Sequence, residues 1–300
     1  MPANLKVIME GKINVVQNAP GATLGEGAIW HCNENVLYWI DITGKKLHRY
    51  DPGKSQNSTF NMGSMIGTVV PAIGKFVVLV ALETGIWAME QNGQLIQLTQ
   101  YPPEMDNNRF NDGKCDPQGR FWVGTMNKDV IKGAGNLYLY EDLKLIRKQS
   151  DITISNGIAW SADGKTMYYI DTPEYAVFAY DYDPETGNLS NRRKAVNVSQ
   201  SLGAPDGMTI DSEGLLWVAH WGGGAVIQWD PENGIPIQKV EVPAPNVTSC
   251  AFGDKDMKTL YITTAREGLS EKKIKEHPLS GRLFKIQPGD RGVKAGVFKS

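Results

Sequence analysis

The sequence predicts an all-β protein, and within that class a six-bladed β-propeller of four-stranded blades, on three observations. Short strand-like runs are cut by turn residues, with almost no stretch of helical period. One plan recurs six times: an apolar strand, a turn of Asp, Asn or Gly, then an aromatic-rich strand. The recurrences start at Glu26, Gly67, Asn111, Asn156, Asp206 and Thr248, at intervals of 41, 44, 45, 50 and 42 residues. A repeat of about 40–50 residues holding four strands is the size of a propeller blade.

The elements follow in the same order within each unit. The first strands read Glu26-Gly27-Ala28-Ile29-Trp30, Gly67-Thr68-Val69-Val70, Asn111-Asp112-Gly113-Lys114, Asn156-Gly157-Ile158-Ala159-Trp160, Asp206-Gly207-Met208-Thr209-Ile210 and Thr248-Ser249-Cys250-Ala251-Phe252. Most units turn seven or eight residues later, as at Asn33-Glu34-Asn35, Pro117-Gln118-Gly119, Asp163-Gly164 and Ser212-Glu213-Gly214. Alternating second strands then return, such as Val36-Leu37-Tyr38-Trp39-Ile40, Arg120-Phe121-Trp122-Val123-Gly124 and Leu215-Leu216-Trp217-Val218-Ala219. Third strands tend to end on Asp-Pro, at Asp51-Pro52, Asp183-Pro184 and Asp230-Pro231. One domain spanning 1–300 accounts for all six units. The remaining segment 5–17 is expected to pair with the last blade and close the ring, because an open edge strand is a liability. A helical solenoid fails on the β period, and a TIM barrel fails on the missing helices.

Composition narrows the function classes. The net charge is −2, with 31 basic and 33 acidic residues, and no basic cluster offers itself to nucleic acid or an anionic membrane. The longest apolar runs, such as Val77-Val78-Leu79-Val80-Ala81-Leu82, are too short to span a bilayer as a helix. Met1 to Val16 lacks the continuous apolar core of a secretion signal. Cys32, Cys115 and Cys250 are odd in number and have no C-x-x-C spacing, which suits reduced thiols. The expectation is a soluble cytoplasmic protein, monomeric or weakly homo-oligomeric. A nucleophile elbow and a phosphate-binding loop are both missing from the sequence.

The first strand of a propeller blade lines the central axis, so residues of equal phase meet at one mouth. At that phase stand Glu26, Asn111, Asn156 and Asp206, each closely followed by Gly. Taken singly, Asn-Gly and Asp-Gly read as hairpin turns. Here the hairpin turns come later, and the second and sixth units manage without the polar group. Two converging carboxylates would push each other's pKa up unless a cation sat between them. Two carboxylates and two amides balance a divalent ion, and an all-oxygen set favours a hard one. The four histidines (His31, His48, His220, His277) show no metal spacing. Second strands return to the same mouth, which places Asp41, Glu83, Thr125 to Asp129, Asp171-Thr172, His220-Trp221 and Thr264 to Arg266 on its rim, with Arg109 just upstream of Asn111. Hydroxyls, amides, one Arg and an aromatic suit a small polyhydroxylated ligand.

The stretches Leu24-Gly25-Glu26-Gly27, Arg109-Phe110-Asn111-Asp112-Gly113-Lys114, Gly124-Thr125-Met126, Ser155-Asn156-Gly157, Tyr169-Ile170-Asp171, Pro205-Asp206-Gly207-Met208, Thr248-Ser249-Cys250 and Ala265-Arg266-Glu267-Gly268 resemble the regucalcin/gluconolactonase-like sugar lactonases, in order along nearly the whole chain. The resemblance implies one catalytic divalent cation, calcium foremost, with zinc, manganese or magnesium also admitted. It makes Glu26, Asn156 and Asp206 the metal ligands and Arg109 and Asn111 the substrate contacts. Where the family carries a substrate-contacting Glu after Gly-Thr-Met, this chain offers Asp129, one methylene shorter. The implied reaction opens a small sugar lactone such as gluconolactone to its aldonic acid. The cation polarises the carbonyl, Asp206 is the candidate general base for the attacking water, and Arg109 and Asn111 hold the sugar hydroxyls. Two other readings stand beside it: a related propeller hydrolase of other esters or phosphotriesters, and a non-catalytic calcium-binding propeller.

Overall fold

Runs such as Trp122-Val123-Gly124 and Leu216-Trp217-Val218 are apolar on both faces, so their strands must be covered on both sides. The computed structural model, which describes residues 6–8, 12–102 and 107–299, covers them by packing antiparallel meanders side by side. Three are four-stranded sheets. The first comprises Gly25–His31, Val36–Asp41, Lys46–Asp51 and Gln56–Asn61. The second comprises Asn108–Cys115, Phe121–Asn127, Gly135–Glu141 and Lys144–Ile152, and the third Ser155–Trp160, Thr166–Asp171, Ala176–Tyr182 and Leu189–Asn197. A fourth sheet, Ile66–Ile73, Phe76–Leu82, Gly85–Glu90 and Leu95–Gln100, gains Phe298–Lys299 parallel to its first strand.

The remaining strands form one nine-stranded sheet made of two meanders joined by a single pair, Trp221 with Asn246. One meander runs Ala204–Ile210, Leu216–Trp221, Ala225–Asp230 and Ile235–Glu241. The other runs Asn246–Gly253, Thr259–Ala265 and Phe284–Ile286, interrupted by a short helix, Glu271–Glu276. Asn14–Val15 adds antiparallel to Phe284–Ile286, while Lys6–Ile8 lies parallel to Ile235–Glu241 of the preceding meander. Residues 5 and 9–11 of the N-terminal segment lie outside the described residues.

Burial grades from one side of each meander to the other. Gly25–His31 and Val36–Asp41 are buried throughout, whereas the fourth strand, Gln56–Asn61, is largely exposed. First strands therefore face an axis and fourth strands face solvent, a propeller-like arrangement. Successive first strands pack on one another, and Asn246–Gly253 packs back on Gly25–His31. There Thr248 Oγ1 donates to the carbonyl of Gly25 at 2.5 Å, and Leu24 bridges Ala265.

Buried aspartates fix two of the hairpins between first and second strands. Asp116 Oδ1 accepts the backbone N–H groups of Gln118 and Arg120, while Oδ2 accepts Trp122 Nε1 at 3.0 Å and the Tyr182 hydroxyl at 2.6 Å. Asp211 repeats the device with Glu213, Leu215, Trp217 Nε1 and Gln228 Nε2. In each case the Asp stands six residues before the Trp, so one carboxylate shapes the turn and satisfies the indole of the following strand.

Candidate active site at one end of the axis

Glu26, Asn111, Asn156 and Asp206 owe their common placement to β-bulges. The antiparallel register slips after Glu26, between Phe110 and Gly113, between Ser155 and Ile158, and between Pro205 and Met208. An extra residue bends the first strand at that point and re-aims its side chain. Glycine follows because the backbones crowd there. A Cβ on Gly157 would meet the Asp206 carbonyl at 2.8 Å, and one on Gly207 would meet Ser249 Oγ at 2.6 Å. In the Asn108–Cys115 strand that second bulge position carries Asp112 instead.

Five of the six predicted site residues line one cavity of about 230 Å³: Glu26, Arg109, Asn111, Asn156 and Asp206. Arg109 Nη1 donates to Asn111 Oδ1 at 2.6 Å and to the Phe110 carbonyl at 3.0 Å. Asn111 Nδ2 donates to the Ser155 carbonyl at 2.7 Å and, at 3.3 Å, to Asn156 Oδ1. Asn156 Nδ2 donates to Thr172 Oγ1 at 2.8 Å, and that hydroxyl donates to the Pro205 carbonyl. These bonds fix the amide orientations, leaving the Asn156 oxygen on the side of its neighbours. Glu26 Oε2 accepts the N–H of Gly27 at 2.8 Å.

The sixth residue, Asp129, does not itself line that cavity. It sits on the exposed turn after Phe121–Asn127, where Asn127 Oδ1 accepts its N–H and its own Oδ2 accepts Asn107 Nδ2 at 2.6 Å. The turn that caps this strand end takes its carboxylate to Asn107.

Several rim residues expected around the cation are structural instead. Asp41 accepts the backbone N–H groups of Thr23, Leu24 and Gly44, and Asp171 accepts those of Thr153 and Ile154. Glu83 accepts the Met65 N–H and pairs with Lys128 at 2.6 Å. Each staples the end of a second strand to the chain entering the first. His220 is fully buried beside Trp229, with its pKa lowered to about 4 by that burial. Arg266 gives its Nε to the Ser280 carbonyl. Met126, Thr172 and Trp221 from the rim do line the cavity, as does Glu267.

The electrostatics follow from two carboxylates held out of water. Burial raises the pKa of Glu26, and the charge of Asp112 raises it further. Burial likewise pushes Asp206 well up, with Glu26 and then Asp112 adding to it. Asp112 itself is raised by burial, against the pull of Lys114. Arg109 is lowered by burial and drawn back by Glu267, Glu26, Glu83 and Asp206. Among the described residues no three His, Cys, Asp or Glu side chains form a metal-holding group. A cation here would accordingly take two carboxylates and an amide oxygen. That all-oxygen set suits a hard divalent ion, whose charge would relieve the repulsion that raises both acids.

Sequence reasoning missed two groups. Asp112 hides inside Asn-Asp-Gly, which reads as a turn, and only the bulge register separates it from Asn111. Glu267 lies just past the end of the second strand Thr259–Ala265, where its Oε2 accepts the Thr43 hydroxyl at 2.8 Å. Its position at a strand end returning to the mouth was the available signal.

Comparison with known proteins gives concordant results. The protein YvrE of Bacillus subtilis (strain 168), named as a candidate sugar lactone lactonase, is 40% identical over 92% of this chain and 95% of its own. Regucalcin of Xenopus laevis is 40% identical over 92% of this chain and 94% of its own. The crystal structure of the calcium-binding protein regucalcin from Agrobacterium tumefaciens strain C58 superposes with a TM-score of 0.92 at 27% identity, covering 98% of this chain and 99% of that one. The family model described as the SMP-30/gluconolactonase/LRE-like region matches residues 24–266. With that match spanning most of its length, the chain belongs to the SMP-30/gluconolactonase/LRE-like family.

Proposed function

We propose that this protein is a divalent-cation-dependent hydrolase that opens sugar lactones to aldonic acids, and that its meanders make six blades around the site. The observation that carries the proposal is the convergence of Glu26, Asn156 and Asp206 with Arg109 and Asn111 on one small cavity. The six-blade count is supported by the single pair joining the two halves of the nine-stranded sheet and by the way each first strand packs on the next.

Glu26, Asn156 and Asp206 would hold the cation, calcium foremost, as the family's calcium-binding member suggests. When bound, it supplies Lewis-acid polarisation of the lactone carbonyl. Arg109 and Asn111 orient the sugar. Their mutual 2.6 Å bond and the anchoring of Asn111 on Ser155 leave the guanidinium little freedom, so hydroxyls are met by preset donors. Met126, Trp221 and Ile154 give the same cavity apolar walls. Asp206 takes the proton of the attacking water at its carboxylate. The water oxygen bonds to the acyl carbon, the ring C–O bond opens, and Asp206 returns its proton to the leaving ring oxygen, which becomes the hydroxyl of the aldonic acid.

The direct test is pH-stat hydrolysis of an aldonolactone panel with chelator-treated and metal-reloaded protein. Acid release that disappears on chelation and returns on reloading is expected. Release from none of the panel, with or without metal, would reject the lactonase reading. Calcium binding retained without turnover would favour the non-catalytic alternative.

A further inference from the structure

The ends of the first strands away from the candidate site surround a second cavity of about 510 Å³. Its walls are apolar, with Ile29, Trp30, Trp160, Ile210 and Phe252 among them. The C-terminal segment 293–299 crosses over it as a strap. Gly292 bridges Asp211 on one side, and Phe298–Lys299 runs parallel to Ala72 and Ile73 on the other. Gly296 allows the close approach, since a Cβ there would meet the Cys115 carbonyl at 2.4 Å.

Three of the four charged side chains lining this space are cations. Lys114 lines it from within, and Lys294 and Lys299 line it from the strap. An ammonium has three donors, and among the described residues Lys114 gives one to a hydrogen-bond acceptor, the Met208 carbonyl at 2.7 Å, while the buried Asp112 carboxylate offsets part of its charge without forming a close ion pair with it. Among the described residues the one acid of the lining, Asp211, already accepts four N–H groups from its own meander. A volume in the usual ligand range of about 300–1,000 Å³, apolar walls and one interior cation describe a site for an anion with an apolar body.

We propose that this far cavity is a second ligand site, distinct from the lactone site, that binds a small organic monoanion such as a medium-chain carboxylate. The carboxylate pairs with Lys114, and the hydrocarbon lies against Trp30, Trp160 and Phe252 beneath the strap.

Calorimetric titration of the full-length, metal-loaded protein with sodium octanoate tests this, with 1-octanol as the uncharged comparator. Saturable one-to-one binding of octanoate is expected, with 1-octanol weaker by about tenfold or more, the value of one charge-assisted hydrogen bond. Lys114→Met should weaken octanoate to the same degree. Ala295→Trp, which fills the cavity from the strap and spares the channel interior, should abolish binding while the melting temperature stays near that of the parent. Trp30 and Trp160 in the wall should report occupancy as a change in intrinsic fluorescence. Absence of saturable binding into the millimolar range, equal affinity for 1-octanol, or unchanged affinity in the folded Ala295→Trp variant would each overturn the proposal.

Discussion

At the scale of single residues, the candidate site is defined by what it lacks in counter-charge. Glu26 rises from about 4.5 to about 8, through burial and then the charge of Asp112. A carboxyl held above its unfolded value stabilises the fold only while protonated. That stability is complete below the unfolded pKa and is lost as pH rises through the folded one. Chelator-treated protein is thus expected to lose melting temperature steadily from about pH 5 to about pH 8, and added calcium should restore more at the upper end than at the lower. A melting temperature independent of pH over that window in the chelated protein would contradict the assignment. The four bulge residues were legible in the sequence because equal phase in a repeat means equal position in the ring. Asp129 carries no such signal, because a residue on a turn beyond the strand end inherits no phase from the repeat.

At the scale of elements, carboxylates that look alike in sequence divide into two trades. Asp41, Asp171 and Glu83 cap backbone N–H groups at strand ends, and Asp116 and Asp211 tie turns to tryptophans. Their partners are main-chain groups and side chains brought in by folding, so the sequence shows an acid near the mouth without showing its commitment. Asp116 is completely buried and also holds Arg120 Nε at 2.7 Å. Asp116→Ala takes one acceptor from that guanidinium and leaves an indole, a phenol and two backbone donors without theirs. A loss of roughly 3–5 kcal/mol in denaturant unfolding is expected, with Asp116→Asn losing less because it keeps an acceptor. Wild-type stability in Asp116→Ala would show that the network is not what fixes this hairpin. The strand-turn-strand rhythm itself was readable from alternation and turn residues, whereas the Glu271–Glu276 helix was not, being a short insertion with no buried face to give it periodicity.

At the scale of the whole molecule, the ends of the chain finish what the repeats begin. Asn14–Val15 supplies an outer strand to the last meander, Lys6–Ile8 adds to the one before it, and Phe298–Lys299 straps the far end. The first of these could be expected from the liability of an open edge; the other two carry no repeat signal and depend on where the chain ends arrive in space. A variant lacking residues 1–16 exposes the edge of Phe284–Ile286 and removes the fully buried Val16. It is expected to melt lower than the full chain and to associate on standing, as unpaired strand edges do. Sedimentation of that variant as an unaltered species with an unaltered melting temperature would show that the N-terminal strand is dispensable.

The whole molecule also concentrates its chemistry at one place, and the claim that Glu26 and Asp206 bind the cation that lactone hydrolysis requires is open to a single paired measurement. Bound metal and gluconolactone turnover are determined on the same preparations of the parent, Glu26→Gln and Asp206→Asn. Both variants are expected to fold, to bind substoichiometric metal and to lose turnover in parallel. Full turnover persisting in both variants, whatever their metal content, would place the reaction elsewhere.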